Sequence, residues 1–406
     1  MTSPLLLSRR RALVAAAGFG LSLQFLARGA AAAGDDLARR KLVVVICRGG
    51  MDGLSLAPPI GDPDYAGLRG AIALGDEALR LDATFALHPA LTRVHALARA
   101  GEARIAPAVA GPDRSRSHFE AQDVLESGAA VVYGTSSGWL NRAVESLAPG
   151  RKVEALSVGA TAPLILRGKA EAASWSPGRA VDAQSRLPGL LQDLYSDDPL
   201  LGPALARGLA TEAMAQAAMG DMHGLDASAA QRLRPGPEAA RSLGTTLAGF
   251  MREPGGPQVA ALSLDGFDTH ANQGAAQGQL AQRLAGLDAL VDGLRTGLGP
   301  GWKDTVVLVA TEFGRTARVN GANGADHGTA STALILGGGL KPGGIVGDWP
   351  GLSQASLYED RDLAPTLDVR GLFKGVLADH LGVDRRALDT TVFPDSAAAA
   401  PVAGLV

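Results

Sequence analysis

The sequence predicts a three-layer α/β/α sandwich on a largely parallel sheet, and three observations carry that prediction. Short, mainly apolar runs recur at Leu42–Cys47, Val259–Leu264 and Thr305–Ala310, as expected of strands buried on both faces. Between them lie stretches of helical spacing, above all Leu280, Leu284, Leu287, Val291 and Leu294, which step by four and three. Strands that alternate with helices favour parallel pairing with helices packed on the sheet. Each apolar run also breaks into a polar burst, and in open α/β sheets ligands bind outside the carboxyl ends of the strands.

Composition bounds the rest. The chain has 406 residues, 46% hydrophobic, with 53 Gly and 23 Pro, enough for a sizeable core. A formal charge of −3 gives no basic footprint and aromatics are only 4%, so nucleic acid is excluded as a partner class. The single Cys47 permits no internal disulfide and falls inside an apolar run, where core packing is its expected role.

The N-terminus reads as an export signal. Ser8-Arg9-Arg10-Arg11-Ala12-Leu13 resembles the twin-arginine motif, with Ala12 where that motif usually carries Phe. The apolar segment Ala12–Leu26, softened by Gly18 and Gly20, is too short for a permanent span, and Ala31-Ala32-Ala33 offers a cleavage site. Residues 1–33 are therefore expected to be a signal peptide, and the mature protein periplasmic or secreted. Residues 34–395 form the α/β domain, and 396–406 an Ala-rich, loose tail.

Along the mature chain, Leu42–Cys47 ends in Arg48-Gly49-Gly50-Met51-Asp52-Gly53-Leu54-Ser55, a glycine-rich turn with one carboxylate. Asp52 suits a metal ligand, and an Asp before Gly is equally ordinary turn chemistry. A helix is expected over His88–Ala100, with His88 supporting local packing, and a strand over Arg104–Ala110. In the following segment Ser117 and Glu120 have capping-box spacing. A hydroxyl at that helix N-terminus also sits where the dipole favours a bound anion or a nucleophilic alkoxide, with Arg114, Arg116 and His118 around it. Residues 187–255, rich in Ala, Leu, Met and Gln and broken by proline, are expected to be a helical insertion covering the sheet edge or the site mouth, with His223 on its surface.

The stretch Val259–Gln273 organises the candidate chemistry. Its apolar run gives way to Asp265-Gly266-Phe267-Asp268-Thr269-His270, two carboxylates and an imidazole that Gly266 lets converge. Such a set suits a divalent ion. The same residues also fit a loop in which Asp268 caps the next helix and His270 is merely solvated. Two further polar strand ends favour the metal: Thr311-Glu312-Phe313-Gly314-Arg315-Thr316, and Asp326-His327-Gly328-Thr329 before a short strand at Ala333–Leu336. A last helix is expected from Asp362, with His380 on its flank.

In order, Asp52, Ser117-His118, Asp265/Asp268/His270, Glu312 and Asp326-His327 resemble the alkaline phosphatase–arylsulfatase superfamily. More narrowly, RGGMDGLS, RSHFEAQD, DGFDTHANQ, TEFGRT and DHGTAS resemble the domain-of-unknown-function 1501 family, twin-arginine-exported members of that superfamily. The resemblance implies that Asp265, His270 and His327 hold one ion, with Asp52, Ser117 and Glu312 around a second. Glu312-Phe313 stands where the phosphatases have Asp-His, so one imidazole is missing, and His118 or Asp326 is the candidate substitute. No Cys-x-Pro-x-Arg segment is present, which argues against a sulfatase using an oxidised cysteine.

The implied activity is hydrolysis of phosphate- or sulfate-type esters, small or polymeric. One or two divalent ions (zinc, manganese, iron or calcium) would assist attack by Ser117, and Arg315 or Arg116 would hold the oxygens. The alternative is a non-catalytic exported protein for binding or assembly that keeps a structural metal. The implied partners are the ester substrate and the twin-arginine translocation machinery.

Overall fold

Lys41–Arg48 (β1) lies at the centre of the fold because both of its faces are apolar. Leu42, Val44 and Ile46 enter one core, and Val43, Val45 and Cys47 enter the other. The computed structural model describes residues 37, 39–147, 153–159, 163–176, 187–195, 198, 201–202, 205–206, 208–211 and 236–406. The export signal, His223 and most of residues 187–235 lie outside these residues.

Seven further strands complete the sheet: β2 (Ala103–Ala110), β3 (Ala155–Val158), β4 (Ala173–Trp175), β5 (Val259–Asp265), β6 (Thr305–Ala310), β7 (Ser331–Leu336) and β8 (Leu367–Asp368). Their order across the sheet is β8-β2-β7-β6-β1-β5-β3-β4. Every pairing is parallel except those of β7 with β2 and β6. That one reversal matters for the site. Because β7 runs against its neighbours, the loop that enters it arrives at the same edge from which β1, β2, β5 and β6 leave. Asp326-His327 therefore meets the polar ends of the parallel strands.

The helices are α1 (Gly53–Leu56), α2 (Tyr65–Arg69), α3 (Thr92–Arg99), α4 (His118–Ser127), α5 (Trp139–Leu147), α6 (Leu187–Tyr195), α7 (Pro237–Arg252), α8 (Gln279–Leu298) and α9 (Val369–Val376). One core joins β1, β5 and β6 to α3, α7 and α8 through Val94, Leu97, Leu243, Leu247, Leu284 and Leu294. The opposite core joins them to α4, α5 and α9 through Leu125, Trp139, Leu140, Leu372, Phe373 and Val376. The architecture is thus a mostly parallel sheet between two helical layers. Each such side chain contributes about 1.5–3 kcal/mol on burial.

Helix α7, within the stretch read as an insertion, packs along α8 as part of a layer. The two backbones approach closely at Gly244 and Gly293. A Cβ on Gly244 would meet the Leu290 carbonyl at 2.3 Å, and one on Gly293 the Arg241 carbonyl at 2.1 Å. Among the described residues no helix is long and apolar enough to cross a membrane.

Three expectations are corrected. The helix expected from His88 starts at Thr92, where Asp288 of α8 accepts from the Arg93 and Val94 amides at 2.9 Å and supplies the cap from another helix. The last helix starts at Val369, not Asp362. Asp368 caps it, while the Thr366 amide donates to Ala108 and leads the chain into β8. His380 lies, as expected, on the flank of that helix's continuation, the π-helical stretch Leu377–Leu381, buried, with Nε2 2.8 Å from the Lys41 carbonyl. The tail is packed: Leu405 is fully buried in the second core, and Lys374 Nζ donates to the carbonyls of Ser396 and Ala399 at 2.7 and 3.0 Å. Its alanine content conceals these anchors.

Candidate metal centre

His118 opens α4, Asp268 and His270 follow β5, and His327 precedes β7, so three chain segments bring their polar ends together at the carboxyl edge. The nearest approaches are between His270 Nε2 and His327 Nε2 (2.9 Å), and between each of these and Asp268 Oδ1 (3.0 and 3.4 Å). His118 Nε2 stands 3.5 Å from Asp268 Oδ2, is buried and makes no hydrogen bond. One ligand atom each from His118, Asp268 and His327 lies within 4.8 Å of the others. The Asp268 and His270 side chains are 45% and 43% exposed, so the cluster faces solvent on one side.

The second nitrogen of every ring explains the first. His118 Nδ1 lies 2.8 Å from Glu312 Oε1, His270 Nδ1 lies 3.1 Å from Asp326 Oδ1, and His327 Nδ1 lies 2.8 Å from the Arg116 carbonyl. Carboxylate and carbonyl oxygens only accept, so each Nδ1 carries a proton, and a ring in its neutral form presents an Nε2 lone pair. His270 Nε2 and His327 Nε2 thus approach Asp268 Oδ1, and His118 Nε2 approaches Oδ2, at the edge of the sheet.

This donor set fits a divalent ion. Tetrahedral bonds of 2.0–2.1 Å separate ligand atoms by about 3.3 Å, inside the spread of the distances above. The buried, unbonded Nε2 of His118 is the orphaned donor that such an ion would satisfy, and histidines held by carboxylates or carbonyls are the usual support of a metal ligand.

Glu312, expected as a ligand, is engaged elsewhere. It is fully buried, and Oε1 accepts from His118 Nδ1, from Gln122 Nε2 (3.1 Å) and from the Gly49 amide (2.8 Å), while Oε2 accepts from Thr311 Oγ1 (2.9 Å). Burial opposes its ionisation, but these hydrogen bonds outweigh it and hold the carboxyl below its usual range. The His118–Glu312 bond raises the His118 pKa against the effect of burial. Burial depresses His327 instead, helped by the nearby Arg315 charge. Asp326 is held low first by its bond from Asn320 Nδ2 (3.0 Å), and it orients His270.

Arg315 is buried, and each of its three nitrogens donates within the protein. Nε donates to the Gly50 carbonyl (2.6 Å), Nη1 to Ala325 (3.0 Å), and Nη2 to Asp268 Oδ1 (2.5 Å) and the Gly49 carbonyl. Burial alone would raise Asp268, yet the Arg315 bond keeps it low and ionised. The clamp on substrate oxygens expected of Arg315 is thus a clamp on Asp268. Arg116 is likewise paired, with Asp362 Oδ2 at 2.8 Å and Glu359 Oε2 at 2.5 Å. Its left-handed backbone (φ 57°), uncommon for a non-glycine residue, stands directly before Ser117 and His118, and its carbonyl holds His327.

Asp52 and Asp265 stand outside the cluster. Asp52 is buried, caps α1 through the Ser55 amide, pairs with Arg69 Nη2 and accepts from Gln273 Nε2 at 2.8 Å. Asp265 ends β5 in register with Arg48. Among the described residues no second group of three such ligands is found. Ser117 is the N-cap of α4 but makes no side-chain cap bond, so the capping box with Glu120 does not form. Its amide donates to Ser115 Oγ at 3.2 Å instead.

Sequence reasoning missed Gln122, Asn320, Phe313, Arg69 and Gln273. Gln122 follows His118 by four residues, one helical turn, a spacing that marks it as a co-facing partner. Phe313 packs against both His118 and His327 at 4.8 Å, and its place beside Glu312 was the visible signal.

The comparisons with known proteins follow this geometry. Among curated proteins, none matches the sequence. Similar solved structures include the C-terminal periplasmic domain of EcEptC from Escherichia coli in complex with Zn, at 10% identity over 94% of this chain and 90% of that one, TM-score 0.41. The lipoteichoic acid synthase LtaP from Listeria monocytogenes is 9% identical over 94% and 81%, TM-score 0.38. A protein in the alkaline phosphatase superfamily from Vibrio parahaemolyticus is 10% identical over 84% and 72%, TM-score 0.31. The family model described as "Protein of unknown function (DUF1501)" matches residues 81–392, most of the chain, and the protein belongs to that family.

Proposed function

We propose that the protein is an exported metal-dependent hydrolase of phosphate- or sulfate-type esters, with His118, Asp268, His270 and His327 as ligands of one ion and Ser117 as nucleophile. The observation that carries the reading is the approach of three imidazole Nε2 atoms to an ionised Asp268. A nitrogen-rich set of this kind favours zinc or iron over calcium. A divalent ion there would lower the pKa of an attacking hydroxyl and neutralise charge on the transferring group. Ser117 lies between Arg116, whose carbonyl holds His327, and His118 itself, at the N-terminus of a ten-residue helix. Its hydroxyl makes no cap bond and has the dipole of α4 behind it.

One observation favours the alternative, a non-catalytic binding or assembly protein. The guanidinium groups of Arg315 and Arg116 are both paired internally, which removes the expected clamp on the equatorial oxygens. The test is turnover of activated phosphate and sulfate monoesters by zinc-loaded protein, wild type against Ser117→Ala. Turnover lost in Ser117→Ala with metal content unchanged supports the nucleophile. Wild-type protein inert on every ester puts the binding reading ahead.

A further inference from the structure

A cavity of about 240 Å³ lies behind the metal cluster, between the segment Thr316–Asn320 and the turn Leu357–Arg361. We propose that it binds a single polyhydroxylated ring or short polyol, a ligand of the sugar class, and that its occupancy is coupled to the metal centre. Such a site does not require the protein to hydrolyse anything.

Its size and lining select that chemistry. The cavity is smaller than the roughly 300–1,000 Å³ of drug-sized sites and suits one ring. Its floor is apolar, from Leu68, Val319 and Leu357. Its rim carries two cations, Arg318 and Arg361, and two anions, Asp326 and Asp360. The balance of charge gives neither a net anion nor a net cation site, and four charged side chains in the wall are wrong for a pure hydrocarbon. A hydroxyl donates and accepts at once, so vicinal hydroxyls can bridge carboxylate and guanidinium while the ring's C–H face rests on the floor. The groups are available: the hydrogen bonds to Asp326 fall on Oδ1, and Arg318 and Asp360 are exposed.

The rim is also held in place. Glu359 and Asp360 are consecutive non-glycine residues with left-handed backbone (φ 52° and 55°), a conformation that persists where surrounding contacts enforce it. Arg116 supplies one such contact through Glu359, and the Arg361 and Asp362 amides both donate to the Tyr358 carbonyl. Two rim residues touch metal-ligand candidates on the side away from the cluster. Asp326 holds His270 Nδ1, and Arg361 Nη2 donates to the His327 carbonyl at 2.9 Å. A ligand that draws on either residue shifts the orientation of a ligating ring, so sugar and metal influence each other through shared walls.

The test uses the whole protein, metal-depleted and zinc-loaded, with D-glucose, D-galactose and myo-inositol as probes and glycine as a zwitterionic control. Saturation-transfer NMR reports contact, and titration gives affinity. At least one sugar probe is expected to bind saturably. Arg318→Ala and Asp360→Asn, both exposed and the second tolerant of the left-handed backbone, should each weaken it by about tenfold or more with unchanged Tm. The probe affinity should differ between metal-depleted and zinc-loaded protein, and zinc affinity should change by the same factor when the probe is present. Saturable binding without ester turnover leaves this site standing and removes only the hydrolase reading. The proposal is overturned if no sugar probe saturates, if glycine binds more tightly than all of them, if both variants bind like wild type, or if zinc leaves the probe affinity unchanged.

Discussion

Glu312 Oε1 lies 2.8 Å from His118 Nδ1, and this contact decides which nitrogen of His118 faces Asp268. In this chain the carboxylate after β6 holds a candidate ligand where it was itself expected to be one, and the imidazole it holds comes from α4.

Glu312→Gln keeps the shape of that side chain but removes its charge and its exclusive preference for accepting. Zinc affinity, measured by competition with a chromophoric chelator, should fall by about 10–100-fold, the usual effect of losing an outer partner. Unchanged affinity would remove His118 from the ligand set.

Asp52 and Arg69 form a buried pair whose rupture is expected to be costly. Burial alone would raise the Asp52 pKa, but Arg69 and the bond from Gln273 outweigh it, so the folded value lies below the unfolded one. A carboxylate shifted in this direction stabilises the fold fully above its unfolded pKa of about 3.9, and that stability is lost as pH falls through the lower folded value. Asp52→Asn leaves the Arg69 charge buried without its partner and should cost about 3–5 kcal/mol in urea unfolding at pH 7. The difference from wild type should shrink below pH 4. A difference that grows on acidification would contradict the assignment.

The tail tests packing that composition hides. Leu405 is fully buried, its carbonyl accepts from the Lys341 amide at 3.0 Å, and Arg104 Nη1 donates to Gly404 at 2.9 Å. Leu405→Ala should lower stability by about 2–5 kcal/mol, read from denaturant midpoints. A cost below about 0.5 kcal/mol would mark the tail as a surface segment.

The fold was legible where burial and periodicity coincide. Thr305–Ala310 is a strand over the range its apolar run marks, and Leu280 through Leu294 form the buried face of α8. β4 and β8, of three and two residues, are too short to show any period. The polar strand ends were also legible as places where chemistry gathers. The division of labour among them was not, because it depends on partners distant in sequence. Asp52 is drawn off by Arg69 and Gln273, and Arg315 is surrounded by carbonyls of Gly49, Gly50 and Ala325. The Asp265–His270 stretch presents two carboxylates, and only the folded chain shows that Asp268 is the one beside the histidines.

The central claim is that His118, Asp268, His270 and His327 hold one divalent ion. Calorimetric titration of zinc into metal-depleted protein tests it most directly. The account predicts one ion per chain, with His118→Ala, His270→Ala and His327→Ala each weakening zinc by more than the roughly 100-fold upper end seen for outer-shell partners. Wild-type affinity in His118→Ala, or two ions per wild-type chain, would contradict it.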